Sequence, residues 1–300
     1  MDKFSVVVVT YNRLSLLKEC LECIDGQEAK FDNVIIVNNA STDGTREFLK
    51  TISDRYEIID EEVNGGGAKG FQDGVDYVNK NIDANWVLLI DDDAMLCPSY
   101  LKILKDYIKQ NPSCLAFSGS VKTEGIIDIT HRKRLKRGMS FEICPVEMKE
   151  YQNETFEYDL SSFCGLVFCT DLIDDIGIPR GDYFIWYDDS EYSLRIRERT
   201  KIININSIWI NHKTKINTNS SKLNWRGYYG TRNRGDVILR YGTKMEFNMF
   251  KLRIKIAMYK NLAYYYIFND KTYKYNYNLY KDGLNDLKNM HFGYNEKYHA

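Results

Sequence analysis

The sequence lacks long apolar runs. No stretch of about 18 uncharged apolar residues, the length that a membrane-spanning helix needs, occurs among its 300 residues. The apolar segment at residues 4–9 fits a strand better than a signal peptide. Disulfide pairs are not expected either, because seven scattered cysteines, an odd number, favour reduced thiols and hence the cytoplasm. Since 44% of the residues are hydrophobic, the chain can bury a substantial core, and we expect a globular protein.

The net charge is close to zero, at −1, but the basic residues are concentrated in one part of the chain. Residues 213–281 hold 15 Lys and Arg against three acidic residues. Such a segment usually faces phosphates, anionic lipid or nucleic acid, with a solvated basic face as the alternative. The apolar spacing of residues 247–262 fits either a basic helix on a membrane surface or packing against the rest of the protein. We expect peripheral membrane contact and no nucleic-acid partner, and a homo-oligomer stays open.

The first 120 residues alternate between short β-branched runs and helical patterns. Strands are predicted at residues 6–9, 34–37, 56–59 and 86–90, and helices at residues 14–24, 42–52, 71–80 and 99–109. This order predicts an α/β fold with a mostly parallel sheet flanked by helices, which binds ligands at the carboxyl ends of its strands. Residues 122–158 are expected to leave the sheet, and helical spacing returns from residue 223 onward.

Three consecutive carboxylates, Asp91, Asp92 and Asp93, follow the fourth predicted strand. Acids this close repel one another unless a cation lies among them, and hard oxygen ligands suit Mg²⁺ or Mn²⁺. A bound divalent ion usually keeps positions open for phosphates, so the triplet predicts a metal-bridged phosphorylated ligand, with an exposed acidic loop as the alternative. Polar loops expected at the same edge of the sheet follow the other strands, at residues 10–13, 38–45 and 64–67.

The glycine-rich segment at residues 65–70 satisfies the GxGxxG pattern of dinucleotide-binding proteins. It follows the third predicted strand rather than the first, and three carboxylates would lie near the pyrophosphate without a metal ion. Nicotinamide binding is therefore disfavoured. No Walker A motif occurs.

A second acidic cluster lies where a helix is predicted to begin, and it consists of Asp188, Asp189 and Glu191. Helix capping would explain a single acid there. An acidic pair beside Trp186 and Tyr187 is a better candidate for a general base, because aromatic walls desolvate a carboxylate and offer a sugar a stacking surface. Farther along, His212 ends an apolar run, where it is either structural or a metal ligand.

Together these segments resemble the family 2 inverting nucleotide-sugar glycosyltransferases, which have the Rossmann-like GT-A fold. Within that family the chain looks most like bacterial galactofuranosyl- and rhamnosyltransferases. The similarity covers roughly residues 3–240 and is carried by residues 8–13, 38–45 and 64–71, the Asp91-Asp92-Asp93 form of the DxD motif, residues 186–195, His212 and residues 228–233.

The resemblance implies a role for each matching residue. The nucleotide sugar would contact Thr10, Asn12, Arg13, Asn39, Asp43, Gly65, Gly66, Gly67, Asp91 and Asp92. A Mn²⁺ or Mg²⁺ ion would be held by Asp91, Asp93 and His212. Asp188 would be the catalytic base, helped by Asp189 and Glu191, which would orient the acceptor hydroxyl. The acceptor would contact Trp186, Tyr187, Arg232 and Asn233, although Tyr187 stands where galactofuranosyltransferases usually carry Trp.

We therefore expect residues 1–215 to form a catalytic domain and residues 216–300 to form a basic, Tyr-rich helical extension. The expected activity is metal-dependent, inverting transfer of a hexose from a UDP-linked donor, with UDP-galactofuranose as the first choice. The expected acceptor is a lipid-linked glycan at the inner face of the cell membrane, in cell-surface polysaccharide synthesis. Rhamnose or another hexose is the alternative within the family, and a nucleotidyltransferase or a non-catalytic glycan-binding protein is the alternative of another class.

Overall fold

The computed structural model describes residues 2–214 and 223–299. Its strands are β1 Phe4–Thr10, β2 Asn33–Asn38, β3 Glu57–Asp60, β4 Trp86–Asp91, β5 Ala94–Leu96, β6 Ala116–Thr123, β7 Ile126–Ile127, β8 Arg132–Lys136, β9 Glu142–Pro145, β10 Thr155–Tyr158, β11 Leu160–Ser161, β12 Leu166–Cys169 and β13 Ile202–His212. Its α-helices are α1 Leu14–Asp25, α2 Thr45–Lys50, α3 Gly66–Asn81, α4 Tyr100–Gln110, α5 Leu172–Ile176, α6 Asp188–Arg197, α7 Arg226–Tyr241, α8 Lys244–Phe268 and α9 Lys271–Lys288.

The central sheet has the strand order β10-β13-β6-β12-β4-β1-β2-β3. The four strands β4, β1, β2 and β3 are parallel, and β13 runs parallel to β6. β12 lies antiparallel between β4 and β6. Helices α1 and α4 pack on one face of the sheet, and α3 and α6 pack on the other. The prediction of an α/β fold with a mostly parallel sheet flanked by helices is confirmed.

The strands of the parallel half form because apolar residues cover both of their faces. All seven residues of β1 are buried. Val6 and Val8 belong to one core cluster, and Val7 and Val9 belong to the other. Gly74 lets α3 approach this strand closely, since a Cβ at that position would lie 2.3 Å from the side chain of Val7. The close packing fixes α3 against the sheet, with its first turn at the carboxyl ends of the strands.

Part of residues 122–158 leaves the central sheet, as predicted, and forms a small second sheet with the order β11-β8-β9. Arg132 of β8 is fully buried and joins the two sheets. Its guanidinium donates hydrogen bonds to the carbonyl oxygens of Gly119 and Cys164 at 2.7 and 3.0 Å. The second sheet is thereby held beside β6 and the start of β12.

The predicted helical C-terminal extension is present as α7, α8 and α9. The apolar face predicted for residues 247–262 packs inward, with Phe250 buried in the cluster that also contains Val237 of α7. The predicted domain boundary after residue 215 lies outside the described residues. Within residues 2–214 and 223–299, no helix is long and apolar enough to cross a membrane.

Candidate active site

The acidic triplet forms a tight turn at the carboxyl end of β4. Asp91 is the last residue of this strand, and Asp92 and Asp93 lead into β5. Both turn residues are buried, at 2% exposure each. Thr10, the last residue of the neighbouring β1, donates a hydrogen bond from its hydroxyl to Asp92 Oδ2 at 2.8 Å. The exposed acidic loop that we considered as an alternative is therefore not what the structure shows.

Arg13 supplies a positive charge to this turn. Its Nη1 lies 3.3 Å from Asp92 Oδ1 and 2.6 Å from Asp93 Oδ2. Part of the repulsion among the three acids is therefore offset by the chain itself, in addition to what a metal ion could contribute. Asp92, which the resemblance assigned to the nucleotide sugar, is the acid held by both Thr10 and Arg13.

Burial and mutual repulsion change the proton affinity of the triplet. Burial raises the pKa of Asp91 to about 7, and the charges of Asp93 and Asp92 add to this rise. Burial also raises the pKa of Asp92 to about 6, although hydrogen bonding from Thr10 and the charge of Arg13 oppose it. For Asp93, burial acts in the same direction but is outweighed by neighbouring positive groups, so its pKa is lowered. The cluster thus resists full ionisation until further positive charge arrives.

Strand pairing brings His212 to the triplet. In β13 it lies opposite Ala94 of β5, and its Nε2 is 3.2 Å from Asp93 Oδ1. This oxygen is buried, and within residues 2–214 and 223–299 it has no hydrogen-bonding partner of good geometry. An orphaned carboxylate oxygen beside an imidazole fits a Mn²⁺ or Mg²⁺ ion. Of the three predicted ligands, Asp93 and His212 are in contact, and Asp91 interacts with both through its charge. Among the described residues, no group of three His, Cys, Asp or Glu side chains is already arranged to hold a metal ion.

The polar side chains predicted to contact the nucleotide tie the loops after β1, β2 and β3 together. Asn12 Oδ1 accepts a hydrogen bond from the amide of Thr42 at 2.7 Å. Asp43 Oδ2 accepts one from the first amide of α1 at 3.1 Å. Asn39 Oδ1 accepts one from the amide of Gly65 at 2.9 Å. These bonds fix the rim on which a nucleotide would lie.

The glycine loop touches the segment that leads into α6. Gly66 begins α3 with a φ of +81°, and a Cβ at this position would lie 2.0 Å from the carbonyl oxygen of Phe184. That carbonyl also accepts a hydrogen bond from the amide of Ala68 at 3.2 Å. Only glycine tolerates this backbone and this contact at residue 66. The helix α3 begins at residue 66 rather than at the predicted residue 71, although glycine disfavours helices.

The segment before α6 has a strained backbone. Positive φ values, rare for bulky residues, occur at three of its residues: Phe184 (+66°), Trp186 (+66°) and Tyr187 (+71°). Each such residue costs on the order of 1–3 kcal/mol and persists only where its surroundings hold it. The side chain of Asn233 provides this support, because its Nδ2 lies within 2.9–3.0 Å of the carbonyl oxygens of Tyr183, Ile185 and Trp186.

The structure corrects the predicted role of Arg232 and Asn233. Both were expected to contact the acceptor, yet they are 1% and 0% exposed. Arg232 donates a hydrogen bond to the carbonyl oxygen of Tyr183 at 3.1 Å, beside the contacts of Asn233. The two side chains position the strained segment from beneath and do not reach its open side.

The predicted role of Glu191 is corrected as well. Its side chain is buried, and its carboxylate lies 2.7 Å from Arg195 and accepts a hydrogen bond from the hydroxyl of Tyr241 at 2.8 Å. These contacts join α6 to the end of α7. A carboxylate that is paired in this way orients helices and not an acceptor hydroxyl.

Asp188 is the first residue of α6 and is 7% exposed. The N-cap residue of this helix is Tyr187, so Asp188 follows the capping position and does not occupy it. Burial raises the pKa of Asp188 well above its usual range, and the charges of Asp189 and Asp91 add to the rise. The two acidic clusters, far apart in sequence, are therefore close enough to interact. A carboxyl with a raised pKa has the proton affinity that a general base needs near neutral pH.

A cavity of about 430 Å³ opens beside Asp189. Trp186, which is 46% exposed, and Tyr187 form part of its wall. Lys133 of β8 and Arg234 of α7 line it as well, and neither was predicted from the sequence. No motif marks these two residues, because β8 and α7 meet the start of α6 only in the folded chain.

The family model described as glycosyl transferase family 2 matches residues 5–170, more than half of the chain. The chain belongs to this family. The galactofuranosyltransferase GlfT1 of Mycolicibacterium smegmatis is 26% identical over 200 residues, which cover 63% of this chain and 64% of that protein. The glycosyltransferase GlyA of Streptococcus pneumoniae is 30% identical over 105 residues, which cover 34% of this chain and 14% of that protein. The chain thus spans less than two thirds of the length of either relative.

Solved structures of glycosyltransferases share the fold. S. aureus TarS 1–349 superposes with a TM-score of 0.55 at 16% identity, covering 90% of this chain and 74% of that one. TarS 1–349 has also been solved with UDP and with UDP-GlcNAc. GalNAc-T7 with UDP, GalNAc and Mn²⁺ superposes with a TM-score of 0.59 at 14% identity, covering 84% of this chain and 54% of that one. At these identities the likeness establishes the fold, and it agrees with the GT-A resemblance seen in the sequence.

Proposed function

We propose that this family 2 glycosyltransferase moves a hexose from a UDP-linked donor to a lipid-linked glycan, with inversion at the anomeric carbon. The observation that carries the proposal is the contact between the glycine loop and the carbonyl oxygen of Phe184, because this contact brings the start of α6, with the buried Asp188, to the loops expected to hold the donor. Inverting transfer needs a base for the attacking hydroxyl and, across the sugar, a group that stabilises the departing diphosphate. The two acidic clusters supply candidates for both tasks.

In the proposed reaction the acceptor hydroxyl attacks the anomeric carbon, and the bond from that carbon to the diphosphate oxygen breaks. Asp188 takes the proton of the acceptor hydroxyl, and Asp189, which lines the cavity, orients that hydroxyl. Arg13 offers positive charge to the leaving diphosphate. A Mn²⁺ or Mg²⁺ ion held by Asp91, Asp93 and His212 would supply further stabilisation of the negative charge on that group.

Galactofuranose is the first choice of donor sugar because GlfT1, a galactofuranosyltransferase, matches along 63% of the chain. UDP is the proposed nucleotide because TarS, which shares the fold, binds UDP and UDP-GlcNAc. Rhamnose and other hexoses are the competing donors. Hydrolysis measured across a panel of nucleotide sugars ranks them, and faster hydrolysis of a donor other than UDP-galactofuranose would replace this choice.

An exposed apolar stripe on α8 supports peripheral membrane contact. The stripe consists of Met245, Leu252, Ile256, Tyr259 and Tyr266, which are between 49% and 74% exposed. Their spacing of three, four or seven residues puts them on one side of the helix, opposite the packed side with Phe250. Lys255 flanks the stripe on one side, and Arg253 and Lys260 flank it on the other. An apolar stripe between cations fits the surface of an anionic bilayer, which we propose to be the cytoplasmic face of the cell membrane.

A cavity between α7, α8 and α9 supports a lipid-linked acceptor. It has a volume of about 660 Å³, and apolar residues of all three helices, including Leu239, Met258 and Leu287, line it. Its cationic lining residues are Lys251, Lys255, Lys281 and Lys288, and they outnumber its one acid, Asp282. Apolar walls bordered by the stems of lysines fit the hydrocarbon chain of a lipid carrier.

The role of Asp188 gives the direct test of the proposed function. Asp188→Asn should retain UDP binding and lower the transfer rate by about 10²- to 10⁴-fold, the usual contribution of a general base. Asp174→Asn, which changes an exposed acid on α5, serves as the matched control and should leave transfer unchanged. Near-normal transfer by Asp188→Asn would contradict the proposal. Titration with UDP in the presence and absence of Mn²⁺ tests the donor site separately.

A further inference from the structure

Two cations, Lys133 and Arg234, line the cavity beside Asp189. Among the described residues, neither Lys133 nor Arg234 forms an ion pair within 4.0 Å. By comparison, Arg134 of β8 lies 3.5 Å from Glu150, and Arg240 of α7 lies 2.7 Å from Asp236. The two cavity cations differ from these two arginines in having no such acid beside them among the described residues.

The guanidinium of Arg234 is poorly satisfied by the protein. Its Nε is buried and has no hydrogen-bond acceptor among the described residues. Its Nη2 donates one long hydrogen bond, of 3.4 Å, to the carbonyl oxygen of Phe141. A guanidinium has five N–H donors in a fixed planar fork. A buried donor without an acceptor lowers stability unless a ligand accepts from it.

The acid in the same cavity does not neutralise these two cations. One carboxylate oxygen of Asp189 accepts hydrogen bonds from the amide and hydroxyl of Ser190 at 2.5 and 3.0 Å. The lining therefore keeps an excess of one positive charge. The fork of an arginine together with a lysine ammonium matches a phosphate group, and the exposed ring of Trp186 offers a stacking surface to a sugar.

We propose that this cavity binds a phosphate group of the acceptor, so that the enzyme acts on a phosphorylated sugar or glycan. The phosphate lies at Lys133 and Arg234, and the sugar lies against Trp186 with a hydroxyl toward Asp188. At about 430 Å³ the cavity has the size of a small-molecule site. The inference rests on the proposed function, because it names the acceptor of the same reaction. The donor diphosphate is assigned to a different place, the loops after β1 and β4.

The test is a calorimetric titration of the full chain, saturated with UDP and Mn²⁺ so that the donor site is filled. The titrants are glucose 1-phosphate, glucose and inorganic phosphate. Glucose 1-phosphate should bind at least about tenfold more tightly than glucose, which corresponds to about 1.4 kcal/mol. Trp186→Ala should weaken the binding of glucose 1-phosphate and leave the binding of inorganic phosphate unchanged, because only the sugar stacks on the ring.

Charge variants show whether the two cations produce the preference. Arg234→Gln and Lys133→Gln should each lower the ratio of the affinity for glucose 1-phosphate to the affinity for glucose several-fold. Lys136→Gln removes one exposed charge from the same strand outside the cavity and should keep the ratio. The ratio is measured within each variant, so a general loss of binding cancels, and Lys133→Gln serves if Arg234→Gln does not fold.

Three outcomes would overturn the inference. Equal affinity for glucose 1-phosphate and glucose would do so, as would a preference that survives in both charge variants. Inorganic phosphate that binds as tightly as glucose 1-phosphate, with no effect of Trp186→Ala, would assign the cavity to free phosphate. Failure of the unchanged protein to bind UDP would overturn the proposed function itself, whereas UDP binding without a phosphate preference would overturn this inference alone.

Discussion

Replacement of Asn233 by alanine tests whether one buried amide holds the segment that carries Trp186, Tyr187 and Asp188. Among the described residues, Asn233 is the only side chain that donates to the carbonyl oxygens of Ile185 and Trp186. A carbonyl left without a donor costs about 1–3 kcal/mol, with the low end of that range expected for part-buried bonds such as these two. With two such carbonyls, the free energy of unfolding should fall by about 2–3 kcal/mol. In a chain of this size that corresponds to a melting temperature lower by roughly 5–10 °C.

The same substitution should affect the two substrates differently. Without the amide, the positive φ values at residues 184, 186 and 187 lose their support, and Asp188 moves relative to the acceptor. Transfer should therefore fall by about 10²-fold, since small misplacements of a reacting group have effects of this size. UDP affinity should change less than transfer, because most of the predicted nucleotide contacts lie in the loops after β1, β2 and β4, which share no hydrogen bond with Asn233 among the described residues, and only the glycine loop touches the supported segment.

Thermal unfolding followed by circular dichroism, UDP titration and steady-state transfer kinetics measure these three effects. Asn289→Ala, a change of an exposed residue that follows α9, is the matched control. A free energy of unfolding within about 0.5 kcal/mol of the unchanged protein would refute the reasoning about the carbonyls. Equal loss of UDP binding and transfer would refute the reasoning about the segment.

Three further predictions concern protonation and membrane contact. Since burial and neighbouring charges raise the pKa of Asp188, kcat/KM for transfer should rise with pH through a midpoint well above the usual value of about 4, and Asp188→Asn should abolish this rise. The pKa of Asp91, about 7, exceeds its unfolded value, so the folded state binds more protons than the unfolded state. The free energy of unfolding, measured in EDTA, should therefore fall as pH rises from about 4 to about 7. Asp91→Asn should flatten that slope, and an unchanged slope would contradict the raised pKa of Asp91. Ile256→Glu on the exposed stripe should reduce flotation with anionic vesicles, whereas Gln110→Glu, which adds the same charge at the end of α4, should not.

The parallel half of the sheet could be predicted from sequence because its strands are buried on both faces. Residues such as those of β1 form unbroken apolar runs, and helical patterns lie between them. The polar loops that end these strands then fall on one rim by the geometry of parallel strands. The acidic pair beside two aromatic residues indicated a general base, and the family resemblance then assigned that role to Asp188 within the pair.

The predictions that needed correction all concern which way a helical side chain points. Arg232, Asn233 and Glu191 are polar and lie near aromatic or acidic residues in sequence, as site residues do. In the structure each lies on the inner side of its helix, where it satisfies buried carbonyls or another charge. A polar residue on an inward-facing helix position is as often a support as a contact, and only its neighbours in space decide. For the same reason Lys133 and Arg234, which do face the cavity, carried no signal in the sequence.

The electrostatics of the two clusters link the two halves of the proposed reaction. The charge of Asp91 is one of the causes that raise the pKa of Asp188, after burial and the charge of Asp189. Positive charge brought to the Asp91 side therefore weakens one of the effects that keep a proton on Asp188. The ionised form of Asp188, which acts as the base, is then favoured when positive charge offsets the negative charge of Asp91. An acceptor hydroxyl would lose its proton most readily in the state in which a leaving group is already in place.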